Sequence, residues 1–165
     1  MQLEYLDLYI IHWPVSFVHE DPSNFYPKRK DNTHNVNHVP LWETWEAMQD
    51  LKAQGLTRSL GVSNFTVPHL QELLKESKVK PAVNQVEMHP YLTQKQLVKY
   101  CQDNKITITA YSPLGTGIPA QKDESKPVLL EDKTVLQLAT QYKKTPAQIL
   151  LRWSLQNGFI AIPKR

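Results

Sequence analysis

The chain has 165 residues, of which 41% are hydrophobic and 21% charged, with a formal net charge of +3. That balance fits one globular domain and excludes a disordered tail, while a complete eight-stranded α/β barrel takes roughly 250 residues. No run reaches the ~20 apolar residues of a membrane span, the first residues form no basic leader, and a single cysteine, Cys101, excludes an internal disulfide or a cysteine zinc cluster.

A cytoplasmic, reducing location fits these features. The basic residues are dispersed, with short groups at Lys28–Lys30 and Lys143–Lys144, so the charge reads as a solvated surface rather than a nucleic-acid patch. No nucleic-acid or membrane partner is expected.

In chain order, Tyr5–Ile11 is a short, nearly continuous apolar run ended by His12, Trp13 and Pro14. It reads as a strand buried on both faces. Residues 14–40 hold four prolines, four asparagines and three histidines without helical or strand period, and read as a long loop. The histidines lack metal-ligand spacing, and no metal site is expected. Residues 41–54 predict a helix with Trp42, Trp45, Met48 and Leu51 on one face, stopped by Gly55.

Ser59–Val62 predicts a strand ending at Ser63 and Asn64, and residues 67–76 a helix capped by Thr66. Ala82–Val86 is the next strand. A helix follows over 94–104 with Leu97, Tyr100 and Cys101 inward, then a strand over Ile106–Ala110. Residues 114–131 read as loop. Residues 132–142 predict a helix with Val135, Leu138, Ala139 and Tyr142 on its inner face. Thr145, Pro146 and Gln148 start another as a capping box. Phe159–Pro163 is the last strand.

Strands alternating with helices predict a parallel sheet with right-handed crossovers. No G-x-G-x-x-G follows a strand, which argues against a doubly wound dinucleotide fold. The polar residues gather at strand ends: His12 and Trp13, Ser63 and Asn64, Gln85 and Glu87 with His89, Tyr111 and Ser112, and Lys164. In a parallel barrel that rim carries the active site. Taken singly, His12 also fits a core histidine, Ser63 and Asn64 a helix cap, and Tyr111 plain packing. Glu87 and His89 read as structural, and Cys101 as a buried, inert thiol.

The strings YLDLYIIHWP, LGVSNF, PAVNQVEMHPYL, TAYSPLG, TPAQILLRW and AIPK, in this order, closely resemble the aldo-keto reductase family over essentially the whole chain. The fold this implies is α/β, a partial (β/α)8 TIM barrel of about strands 4 to 8, with residues 1–165 as its C-terminal part and the 14–40 loop within it. The activity it implies is reduction of aldehydes and ketones by hydride transfer from NADPH, with a small carbonyl compound as substrate and NADPH/NADP+ as cofactor.

The resemblance also implies roles. His12 would hydrogen-bond and orient the carbonyl oxygen, where an imidazole N–H stabilises developing alkoxide charge. Trp13 would wall the substrate pocket. Ser63, Asn64 and Gln85 would hold the nicotinamide carboxamide, and Tyr111 would stack on the ring. Ser112, Pro113 and Leu114 would lie along the pyrophosphate, and Lys164 near the adenosine 2′-phosphate.

The family's proton-donating tyrosine, with its lysine and aspartate, has no matching motif here, and the family's Ile-Pro-Lys-Ser or Thr reads Ile-Pro-Lys-Arg165. A chain cut at both ends is therefore expected, inactive as a carbonyl reductase by itself and prone to self-association through exposed sheet edges. The alternative is a non-catalytic half-barrel that binds nucleotide or a partner, or self-assembles.

Overall fold

The computed structural model describes residues 3–19, 21, 23–115 and 128–164. The chain divides into two compact units, Met1–Ala82 and Val83–Arg165.

In the first unit, β1 (Leu6–Ile11) and β4 (Thr57–Ser63) run parallel, in register from Leu6 beside Thr57 to Ile11 beside Val62. Between them lies α1 (Leu41–Ala53), the crossover that a parallel pair requires. Gly55 ends α1 with φ +77°, and the Gly55 and Leu56 N–H groups donate back to the Lys52 and Leu51 carbonyls. That is a Schellman closure, at a left-handed position glycine occupies without strain. After β4, α2 (Val67–Glu76) packs on α1. Trp45, Leu60, Val62, Phe65, Leu70 and Leu73 are almost fully buried, and the Trp45 indole N–H donates to the Val79 carbonyl at 2.9 Å.

Two expectations differ here. Strand β1 is not buried on both faces: Leu8 and Tyr9 are 38% and 43% exposed. Trp42 lies outside the inner face of α1, 45% exposed, whereas Trp45 and Met48 fill it. Among its described residues, the segment 14–40 is loop, as expected, with two short strands the sequence did not announce. Strands β2 (Ser16–Phe17) and β3 (Val36–Asn37) pair antiparallel, and Lys28 bridges His34. Two-residue strands cannot display a period of two. Local bonds hold the segment instead, among them the Thr33 N–H and hydroxyl donating to Asp31 at 3.0 and 2.6 Å.

In the second unit, β5 (Val83–Glu87), β6 (Thr107–Tyr111) and β7 (Ile160–Ile162) are parallel, with β6 between the other two. Helix α3 (Lys95–Asp103) connects β5 to β6. A 3-10 turn at Leu129–Glu131, then α4 (Lys133–Tyr142) and α5 (Pro146–Gln156), precede β7. The expected capping box opens α5: Gln148 N–H donates to the Thr145 hydroxyl at 3.2 Å, and Thr145 N–H to the Gln148 side chain at 2.9 Å. Asp132 caps α4 by accepting from the Thr134 and Val135 N–H groups. Tyr142 lies outside the inner face of α4, 61% exposed. The 114–131 loop falls largely outside the described residues.

Strand periodicity divides the faces of this sheet. Asn84, Val86, Ile108 and Ala110 are buried, and the Cys101 sulfur of α3 hydrogen-bonds the Asn84 side chain, so α3 covers that face. Gln85, Glu87 and Tyr111 occupy the alternate positions and are half-buried. Among the described residues, no helix is long and apolar enough to cross a membrane.

Candidate functional site

The first unit gathers its polar residues where β1 and β4 end side by side. Ile11 is in register with Val62, so the next residues, His12 and Ser63, come abreast. Asn64 turns the chain with φ +61°, a left-handed position that asparagine tolerates better than most residues. Its Nδ2 donates to the His12 carbonyl at 2.9 Å and to the Ser63 hydroxyl at 3.2 Å. One side chain thus ties the two strand ends together. Ser63 is 1% exposed, while His12 faces solvent.

The His12 and Trp13 rings lie 6.1 Å apart at 34°. Both line a cavity of about 580 Å³ with Val15, Phe17, Phe25 and Tyr26. The Phe17 ring meets Tyr26 edge-on at 6.0 Å and His34 at 5.6 Å. Phe17, Phe25 and Tyr26 escaped the sequence reading because they sit in an aperiodic segment. The only signal there was three aromatics among prolines and asparagines.

The second unit gathers the rest at the ends of β5, β6 and β7. Gln85 is in register with Thr109, Glu87 with Tyr111, and Tyr111 with Ile162. Parallel partners in register share a face, so Gln85, Glu87 and Tyr111 stand together. The Met88 N–H donates to the Tyr111 carbonyl at 3.2 Å, fixing the strand end. Burial pushes the Tyr111 phenol above its ordinary pKa, and the Glu87 carboxylate adds to the rise.

Ser112 adopts φ +47°, and the Gly115 N–H donates to its carbonyl at 2.9 Å. Serine, proline, leucine and glycine in this order suit a tight turn, with Pro113 at the position whose φ its ring already fixes. Pro113 is fully buried. Leu114 packs on the apolar cluster of Leu129, Val135 and Leu150. Gly115 has φ +85°, and a Cβ there would meet the Leu129 Cβ at 3.3 Å. Lys164 follows β7 and is exposed.

Glu87 and His89, read from sequence as structural, pair with each other at 3.1 Å between Glu87 Oε1 and His89 Nε2. The Gln94 side chain donates to the Glu87 carbonyl at 2.7 Å. The signal for Glu87 was its spacing two residues beyond Gln85 on one strand face. Cys101 is buried, and that burial raises its thiol pKa, in keeping with an inert side chain.

The aldo/keto reductase family model matches residues 1–165. The chain belongs to the aldo/keto reductase family. It is 49% identical over 164 residues to aldo-keto reductase family 1 member A1 of Pongo abelii, and 48% to that of Homo sapiens, covering 99% of this chain and 50% of each relative. It also matches a solved structure of the aldose reductase from Schistosoma japonicum, with a TM-score of 0.88 and 39% identity, over 99% of this chain and 50% of that one. The chain thus spans about half the length of the family members it matches. Its fold is α/β, parallel strands with helices, in agreement with a partial (β/α)8 barrel.

Proposed function

We propose that the protein carrying this chain reduces aldehydes and ketones to alcohols with NADPH. The observation that carries this reading is the tie between strand ends in the first unit: Asn64 bonded to the carbonyl of His12, beside an aromatic-lined cavity.

Bound NADPH would supply hydride to the carbonyl carbon, leaving negative charge on the oxygen. His12 presents an imidazole N–H to that oxygen; a donor aimed at developing charge contributes a factor of roughly 10²–10³ in rate. Trp13, Phe17, Phe25 and Tyr26 supply an apolar wall for the organic part of the substrate. In the first unit Ser63 and Asn64, and in the second Gln85, would each offer the carboxamide a hydrogen-bonding partner. Tyr111 would stack on the ring, the Ser112–Leu114 turn would lie along the pyrophosphate, and Lys164 would attract the 2′-phosphate. These donors and this cation suit a phosphorylated, amide-bearing cofactor.

The 165 residues contain no match to the family's proton-donating tyrosine with its lysine and aspartate. A tyrosine needs a neighbouring cation to donate a proton near neutral pH. By themselves the 165 residues therefore turn over no aldehyde. NADPH consumption with a simple aromatic aldehyde tests both parts. The whole protein is expected to consume NADPH only when aldehyde is present, and the 165-residue chain not above a heat-killed control. Aldehyde-independent consumption by the whole protein, or turnover by the short chain, would contradict this reading.

A further inference from the structure

Glu87 stands in register with Tyr111 and two residues from Gln85 on the same face, half-buried at the end of β5. Its carboxylate takes a bond from His89 Nε2 at 3.1 Å, and its backbone is held by Gln94. Among the described residues, the other ring nitrogen, His89 Nδ1, is buried with no hydrogen-bond partner.

The bond from His89 holds the Glu87 carboxylate at the end of β5, on the sheet face it shares with Tyr111. Lys164, beyond β7, is exposed.

The nicotinamide ring is cationic in NADP+ and neutral in NADPH. A fixed carboxylate beside the residue that stacks on that ring attracts only the oxidised form. We propose that Glu87, oriented by His89, makes the site discriminate between the two redox states, tightening NADP+ relative to NADPH and making bound NADPH a stronger hydride donor. This rests on the reading above that Tyr111 and Gln85 hold the nicotinamide. Glu87 here is a positioning residue acting through the field on the ring, distinct from His12, which would touch the substrate.

The test is the ratio of dissociation constants for NADP+ and NADPH, measured by fluorescence and calorimetric titration of the whole protein. Glu87→Gln, which keeps shape and removes charge, is expected to raise Kd(NADP+)/Kd(NADPH) by on the order of fivefold, the effect of one partly screened charge. That is about 20 mV in the potential of the bound two-electron couple. Glu87→Asp keeps the charge and should hold the ratio within about twofold of wild type. If the glutamine variant fails to fold, Glu87→Met reads the same ratio.

Both constants rising by the same factor would show a purely structural residue and overturn the inference, leaving the cofactor reading intact. A falling ratio would overturn its sign. Wild-type protein that binds neither cofactor would overturn the cofactor reading, and this inference with it.

Discussion

Asn64 does two jobs, and substitution can separate them. Its φ of +61° disfavours most side chains by roughly 1–2 kcal/mol, and its amide ties His12 in place. Asn64→Ala should therefore lower the melting temperature by about 2–8 °C for a domain of this size. Asn64→Gly relieves the backbone and removes the tie, so it should melt closer to wild type and still lose activity. Equal melting of the two variants would show that the left-handed turn carries no strain. At Lys164, exposed at the end of the second unit, Lys164→Ala should weaken NADPH roughly tenfold and leave NADH nearly unchanged, as expected for one charged bond to a phosphate. Equal weakening of both cofactors would place the lysine away from the 2′-phosphate.

Helix termini and turns set the stability of the elements. Thr145→Ala removes half of the capping box on α5 and should cost about 1 kcal/mol, read as a drop of about 2–4 °C in thermal melting. No change would mean that Pro146 and packing fix the helix start without the cap. Asp132 caps α4 and accepts from the Tyr91 hydroxyl at 2.7 Å. That bond first, and then the cap bonds, hold its carboxyl below the ordinary pKa. A lowered native value means the cap is fully present above the ordinary carboxylate range and lost as pH falls through the native value. Acid melting of the Tyr91→Phe variant should begin at a higher pH than in wild type, and superimposable acid transitions would contradict this.

The elements also show how far residues alone can be read. Short apolar runs between helical patterns located β1, β4, β5, β6 and β7, because a parallel strand needs no turn chemistry to announce itself. The caps at Gly55 and Thr145 were legible because each rests on one residue type in one position. Strands β2 and β3 were not legible: their pairing depends on contacts across the segment rather than on period. Trp42 and Tyr142 fit helical spacing but point away from the packed face, since spacing names a stripe and the neighbouring element decides its width. At the site, the polar residues at strand ends were visible in sequence. What needed coordinates was the Asn64 bond to His12, the aromatic cavity wall and the register of Glu87 beside Tyr111.

At the scale of the molecule, the chain carries one unit with His12 and the aromatic cavity and another with Gln85, Tyr111 and Lys164. In the function proposed for the protein, cofactor affinity and carbonyl polarisation fall to different side chains. They should then respond separately to substitution. The most direct measurement is steady-state carbonyl reduction by His12→Ala in the whole protein, with the NADPH dissociation constant determined alongside. The expected result is a fall in kcat/KM for an aromatic aldehyde of roughly 10²–10³-fold while NADPH affinity stays within about twofold. Turnover within a few-fold of wild type, or a loss matched by an equal loss of NADPH binding, would contradict the role proposed for His12.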